Sequence, residues 1–409
     1  MRCFYLDPGL RDDVGHHANF CRYITGGLQR RGVEITVFGS VELSHSLQLQ
    51  CAAQPHFRAF TYAETDGDPI SGWLSGFDLF VRITVEDLTR LPPVGASDLV
   101  YLSTLRPVQL MAILLWYRSL PEERRPCLAI EGNSVGLLGR RDGEVIRFDL
   151  PDPRVEPRPL LFRFIGRRHL HPIPPRLHFL SFDPAEAAAL GELTGAPVET
   201  APLPYQALGP VRSRAGAAPI VLACLGHQRE DKGYFLLPEL ASRLLQRHAG
   251  IELLIQTVTT GGEGADRTTA ALCQLASVEP RLRLDDQPAG AERWPELLGQ
   301  TDALLCPYRP EPYAASFSSM ACEAAANAIP MIVPAGTTLE VLLEACGRPG
   351  LAFAGADAET IQAVIEAMLA RFDFYAERAY RAALAWPETR GPDRLAAYLI
   401  GLTKRTVPS

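Results

Sequence analysis

The chain has 409 residues, 47% apolar and 21% charged, with 33 Gly and 34 Pro and a mean hydropathy near zero. This balance excludes a disordered, collagen-like or disulfide-built chain, and the length predicts two domains of about 200 residues each. Forty basic against 47 acidic residues leave a net charge of −7, which argues against wholesale binding to nucleic acid or anionic lipid, though not against a local basic patch.

Only Lys232 and Lys404 are lysines; the other basic residues are arginines, as GC-rich coding produces. Nine widely spaced cysteines form no C-x-x-C pair, so neither a disulfide framework nor a zinc site is indicated. The first residues, MRCFYLDPGLRDD, show no leader pattern, and the longest apolar run, Leu110 to Trp116, is too short to span a bilayer. The expectation is a reducing cytoplasm.

Short runs rich in Val, Ile, Leu and Phe alternate with helical patterns, which predicts parallel sheets covered by helices on both faces. RCFYL (2–6), the loop DPGLRDDVG, a helix carrying Phe20, Ile24 and Leu28, and VEITVF (33–38) read as a βαβ unit. Further strands are expected at 77–81, 98–102, 127–131 and 177–181, followed by a helix opening at Asp183. The Pro- and Gly-rich tract 201–219 breaks the pattern as a linker. A second set of strands is expected at 219–226, 251–256, 281–284, 302–307, 330–334 and 350–354, and a last helix at about Pro392 to Leu402. The expected division is 1–204, a linker 205–218, a second domain 219–385, and a terminal helix segment 386–409 returning to the first domain. Doubly wound sheets bind ligands just beyond the carboxyl ends of their strands, so a cleft between two such domains is the expected site.

The strand at 219–226 runs directly into HQREDKGYF, which places Gly226, Arg229 and Lys232 in a strand-to-helix turn. Two cations beside helix amides form a phosphate site, with an exposed charged loop as the plainer reading. Downstream, 302–334 reads as strand, loop, helix and strand. Ser318 and Ser319 open the helix and offer free amides to an anion, and Glu323 sits one turn deeper, where a carboxylate can accept two ribose hydroxyls. The plainer reading for Glu323 is a solvated side chain on an Ala-rich helix.

Together, G-x-x-R-x-x-K-G (Gly226, Arg229, Lys232, Gly233) and S-F-S-S-M-A-C-E-A-A-A-N-A-I-P (316–330) resemble the GT-B glycosyltransferases, specifically the retaining nucleotide-sugar group of family 4. The resemblance spans nearly the whole chain and is strongest from 219 to 345. It implies two Rossmann-like domains facing a central cleft, with a nucleotide-diphosphate-sugar held mainly by the second. Arg229 and Lys232 would meet the diphosphate and Glu323 the ribose. Members carry a Glu-x7-Glu pair, but the first position here is Ala315, with Ser316 beside it and Glu311 four residues earlier. Either Ser316 or a backbone amide replaces that carboxylate, or the sugar is unusual, or activity is lost.

In the first domain, the resemblance makes Gly15 and His16 candidates for the donor phosphates or the acceptor. It also points to Glu131 and Asn133, where members often have a His, with Glu131 as a polar contact or base. The stretch 151–176 sets Arg154, Arg158, Arg163, Arg167, Arg168 and Arg176 among Leu160, Leu161, Phe162 and Phe164. Such a segment can hold an anionic lipid surface or a lipid-diphosphate acceptor; the favoured reading is a Pro-rich connection with solvated or internally paired arginines.

These features predict sugar transfer from a nucleotide diphosphate to an acceptor hydroxyl, with retention and without a divalent metal, in bacterial glycan or glycoconjugate synthesis. Arg229, Lys232 and helix amides would stabilise the departing diphosphate, and Glu131 or His16 could take the acceptor proton. The acceptor is a glycan, a lipid-linked molecule or a protein. A non-catalytic nucleotide- or glycan-binding partner protein and a nucleotide-sugar epimerase are the rival readings. No G-x-G-x-x-G or P-loop supports a dehydrogenase or NTPase.

Overall fold

The computed structural model describes residues 1–13, 15–62, 71–132, 136–258 and 263–405. The chain divides into two units, one formed by Met1–Pro204 with Arg390–Ser409 and the other by Tyr205–Thr389.

The first unit opens with β1 (Arg2–Leu6), α1 (His16–Arg30), β2 (Glu34–Ser40), α2 (His45–Cys51), β3 (Ala53–Phe57) and α3 (Ser71–Thr89). It continues with β4 (Leu99–Leu102), α4 (Pro107–Ser119), β5 (Cys127–Glu131) and the hairpin β6 (Gly139–Asp142) and β7 (Val145–Phe148). Then come α5 (Arg158–His169), β8 (Leu177–Ser181), α6 (Pro184–Thr194) and β9 (Val198–Thr200). Its sheet has the order β3-β2-β1-β4-β5-β8-β9, with every adjacent pair parallel. Phe4, Leu6, Val100, Leu102, Leu128, Ile130 and Phe179 carry its core, as fully covered parallel strands do.

The second unit holds β10 (Ile220–Cys224), α7 (Leu237–Arg247), β11 (Ile251–Gln256), α8 (Glu263–Ala276), β12 (Leu282–Asp285), α9 (Arg293–Gly299) and β13 (Ala303–Leu305). After these come α10 (Pro310–Tyr313), α11 (Ser319–Ala326), β14 (Met331–Pro334), α12 (Thr338–Ala345), β15 (Gly350–Phe353), α13 (Ala358–Leu369) and α14 (Phe372–Thr389). Its parallel sheet is ordered β12-β11-β10-β13-β14-β15. Both sheets are doubly wound. Successive strands run outward one way and then the other, so the order reverses between β1 and β4 in the first sheet and between β10 and β13 in the second.

Several expectations need correction. The run at 77–81 is not a strand but part of α3. Phe77, Val81, Val85 and Leu88 recur at helical spacing against the core, and Asp78 pairs outward with Arg82 at 2.9 Å. A five-residue apolar run is compatible with either period, and the longer window decides. Strands β3, β6, β7 and β9 lie in mixed or polar sequence and went unread. The irregular tract after β9 is not a loose tether, for it is bonded into the second unit. Leu208 N–H donates to Asn327 Oδ1 (3.0 Å), Arg214 donates to the carbonyls of Gly299 and Leu298, and Gly216 N–H donates to Asp373 Oδ1 (2.7 Å).

Helix α14 passes through Pro387 to Thr389, and the chain then turns at Gly391 (φ 102°) into α15 (Pro392–Thr403). Helix α15 packs on α1, with Arg30 paired to Asp393 at 2.9 Å and Tyr398 donating to Glu199. The approach is close enough that a Cβ on Gly27 would lie 2.4 Å from the Pro392 carbonyl oxygen. Gly27→Ala should therefore cost about 1–3 kcal/mol in urea unfolding. Gly26→Ala, whose Cβ meets nothing nearer than the flexible tip of Arg30 at 3.4 Å, should be neutral or stabilising by up to about 1 kcal/mol.

Candidate functional site

The site in the second unit begins where β10 ends. Gly226 takes φ 109°, a backbone angle that L side chains rarely adopt, and its N–H donates to the buried Gln256 Oε1 at 2.8 Å. The turn then tightens through Glu230–Lys232 to Gly233 (φ 68°), where a Cβ would stand 1.9 Å from the Pro307 carbonyl oxygen. Only glycine lets this turn lie against the loop after β13.

The contact fixes Lys232. Its ammonium lies 5.5 Å from the centre of the Tyr308 ring, and it would be 3.2 Å from a Cβ on Gly226, with Met320 Cγ of α11 3.9 Å from the same point. Burial, and then the charge of Arg229, hold the Lys232 pKa below its ordinary value. A small cavity here is lined by Cys224, Gly226, Lys232, Gln256 and Tyr308. Helix α7 opens only at Leu237, beyond the turn that holds Arg229 and Lys232. The helix end that faces Lys232 is that of α11.

Ser318 caps α11, its Oγ accepting from Ala321 N–H at 3.4 Å. Ser319 does not share that task; its hydroxyl bonds Tyr205 OH at 2.9 Å. The Ser316 carbonyl is held by the Thr338 hydroxyl at 2.7 Å. Arg229 is exposed and engaged with Asp231, Nε donating to Oδ1 at 2.7 Å. Glu323 is not solvated but buried, and its Oε2 accepts from Trp294 Nε1 at 2.6 Å. Ala315 is buried, while Glu311 is exposed beside Arg309 at 3.7 Å and does not supply the carboxylate missing at 315.

The first unit repeats the plan beyond β1. Gly15 (φ 92°) precedes α1, and His16 and His17 begin it with ring centres 4.1 Å apart. His16 is exposed. His17 is the structured one, with Nδ1 2.9 Å from Oδ2 of the fully buried Asp7 and Nε2 3.0 Å from Tyr62 OH. Arg106 lies over the Tyr62 ring at 5.1 Å. Burial disfavours protonated His17, but the Asp7 carboxylate, by charge and hydrogen bond, outweighs it, and the net effect raises the pKa. Glu131 is buried at the end of β5, accepting from Tyr101 OH at 2.7 Å. Asn133 lies outside the described residues.

No protein-family model and no curated protein matches the sequence. Solved structures do. Sucrose-phosphate synthase from Thermosynechococcus elongatus superposes with a TM-score of 0.63 at 13% identity, covering 98% of both chains. Trehalose-6-phosphate synthase OtsA gives 0.63 at 11% identity over 100% of both. Anabaena HepE in complex with UDP-glucose gives 0.61 at 12% over 98% of both. The chain has the GT-B fold.

Within this GT-B chain the two second-domain segments read from the sequence do meet, through Gly226, Lys232 and Met320. In the first domain the sequence offers the pair His16 and His17, with His16 as the candidate; the structure engages His17 with Asp7 and Tyr62, two residues that the motif reading does not single out. Asp7 directly follows β1 and His17 lies in the first turn of α1, a signal available only once a buried carboxylate is sought just past the strand end. Among the described residues no group of three or more His, Cys, Asp or Glu is placed to hold a metal.

Two measurements check this geometry. An NMR titration of His17 should give a pKa above the ordinary value of about 6.5, and Asp7→Asn should lower it. The pair's contribution to stability is then full below about pH 6.5 and lost as pH rises through the higher folded value. Glu323→Ala should cost about 1–3 kcal/mol by leaving the buried Trp294 N–H unmatched, and Glu323→Gln, which keeps an acceptor, should recover most of it in urea unfolding.

Proposed function

We propose that this protein is a glycosyltransferase that moves a sugar from a nucleoside diphosphate to an acceptor hydroxyl. The observation that carries this reading is the meeting of Lys232, the glycine turn at 226 and the first turn of α11 at the reversal point of the second sheet. A half-buried ammonium that makes no ion pair among the described residues, beside a capped helix start and a side-chain-free backbone, suits a diphosphate. Charge that develops on the departing diphosphate would be met by Lys232 and the α11 amides without a divalent ion. Arg229 would join by exchanging Asp231 for the phosphate.

Glu323, buried on α11 and bonded to Trp294 Nε1, is the carboxylate that this reading assigns to a ribose hydroxyl. With Ala315 in place of a carboxylate, the sugar would rest on backbone groups and Ser316. Retention of configuration belongs to the same reading. In the first domain, Asp7 orients His17 and stabilises its charged form, so His17 is a better proton acceptor than the exposed His16 or the Tyr101-bound Glu131. The HepE structures hold UDP and UDP-glucose, which makes uridine nucleotides the first donors to try.

A thermal-shift screen against UDP, GDP, dTDP, ADP and CMP should find one nucleotide that stabilises the protein, by about 2.7 kcal/mol at a hundredfold excess over Kd. Lys232→Ala should abolish that shift while leaving the unliganded Tm unchanged or higher, because it removes a cation that is costly to bury. Nucleotide release that depends on an added acceptor supports transfer. Binding without turnover would favour the partner-protein reading to which Ala315 points, and interconversion of free nucleotide sugars would favour an epimerase.

A further inference from the structure

The basic segment after β7 divides in two. Arg154 and Arg158 are spent on Asp152 and Glu156. Arg163, Arg167 and Arg168 on α5 form no ion pair among the described residues. Helix α5 contains no acidic residue, and His169 at its end has its pKa pushed down by burial and then by Arg118 and Arg168. On a chain of net charge −7, this is a local basic face.

The same stretch is where the protein leaves its apolar side chains in water. Of fifteen exposed large apolar residues among those described, six fall between 138 and 164, Val155 at 77%, Leu160 at 55% and Phe164 at 56% exposure among them. Leu138 and Leu150 flank the same stem of the hairpin, since Asp149 N–H donates to the Leu138 carbonyl. Leu160 and Phe164 are one turn apart on α5, and Arg167 and Arg168 follow one turn later on the same side. The opposite side of α5, Phe162, Ile165 and Gly166, is buried, so the exposed side is not needed for the core. A concentration of exposed apolar residues marks an interaction surface.

We propose that this face of the first unit, Val155, Leu160 and Phe164 rimmed by Arg163, Arg167 and Arg168, docks on the surface of an anionic lipid bilayer. Apolar side chains enter the headgroup boundary while guanidiniums at the same level meet lipid phosphates. A second copy of the chain fits the face poorly, because symmetric pairing would set the three unpaired arginines against their own images. A nucleic acid would satisfy the arginines and leave Leu160, Phe164 and Val155 in water. No helix among the described residues is long and apolar enough to cross a membrane, so the contact is peripheral. The inference does not rest on the transferase reading.

Vesicle co-sedimentation of the whole protein tests it, using phosphatidylcholine with and without phosphatidylglycerol. The protein should sediment with the anionic vesicles, less so as salt is raised, and remain free with phosphatidylcholine alone. The triple change Arg163→Gln, Arg167→Gln, Arg168→Gln should lower the partition coefficient about a hundredfold, and Leu160→Ser with Phe164→Ser should lower it about tenfold or more, each with an unchanged Tm because Leu160, Phe164, Arg167 and Arg168 are exposed and the half-buried Arg163 makes no ion pair among the described residues. Absence of wild-type sedimentation at low salt would overturn the proposal. So would binding indifferent to these changes, or a dimer in sedimentation velocity that the Leu160→Ser, Phe164→Ser protein loses. The nucleotide thermal shift of the variants should be unaltered, which keeps this result separate from that of the donor site.

Discussion

The second unit depends on a backbone contact in which the turn at Gly233 lies directly against the Pro307 carbonyl. That approach presses the segment leaving β10 onto the segment leaving β13 and leaves no side-chain thickness between them. Lys232 is carried with it to a half-buried place beside Tyr308 and the start of α11, where it makes no ion pair among the described residues and the nearby Asp231 is spent on Arg229. The consequence is a cation whose pKa is depressed by burial and by the charge of Arg229. Local violations of this kind concentrate where ligands bind.

The first unit solves a similar problem with opposite chemistry. Its sheet also reverses order, between β1 and β4, and the residue directly after β1 is Asp7, fully buried. That carboxylate is matched by Gly9 N–H and His17, so its burial is compensated and His17 is oriented. Two doubly wound sheets thus bring their polar groups to the same topological position, one offering an ammonium and helix amides, the other a carboxylate–imidazole pair. Glu323 lies between these cases, since its carboxylate is buried like Asp7 but answered by the neutral N–H of Trp294.

Much of the fold was legible because parallel strands covered on both faces must be nearly continuous apolar runs. RCFYL, CLAIE, LHFLS and IELLIQ could hardly be anything else. The reading failed where the run was short and the period ambiguous, as at 77–81 in α3, and where strands were at an edge or in a hairpin, as in β3, β6, β7 and β9, because their mixed composition carries no such signature. The glycine turn and Ser318 were legible for a related reason. A positive-φ Gly and a helix cap are local requirements, met by residues adjacent in the chain.

The sequence alone determined the two doubly wound α/β halves, the turn that carries Lys232, the capped start of α11 and the helix that ends the chain, since each rests on periodicity, capping or backbone geometry over a few residues. Only the tertiary structure decided which polar groups are partnered. It turned Glu323 inward to Trp294, engaged Arg229 with Asp231, Ser319 with Tyr205 and His17 with Asp7, and left Arg163, Arg167 and Arg168 without an ion pair among the described residues beside exposed Leu160 and Phe164. Partnership and burial depend on residues far apart in the chain that packing brings within a few ångströms, and no local pattern records which of them will meet.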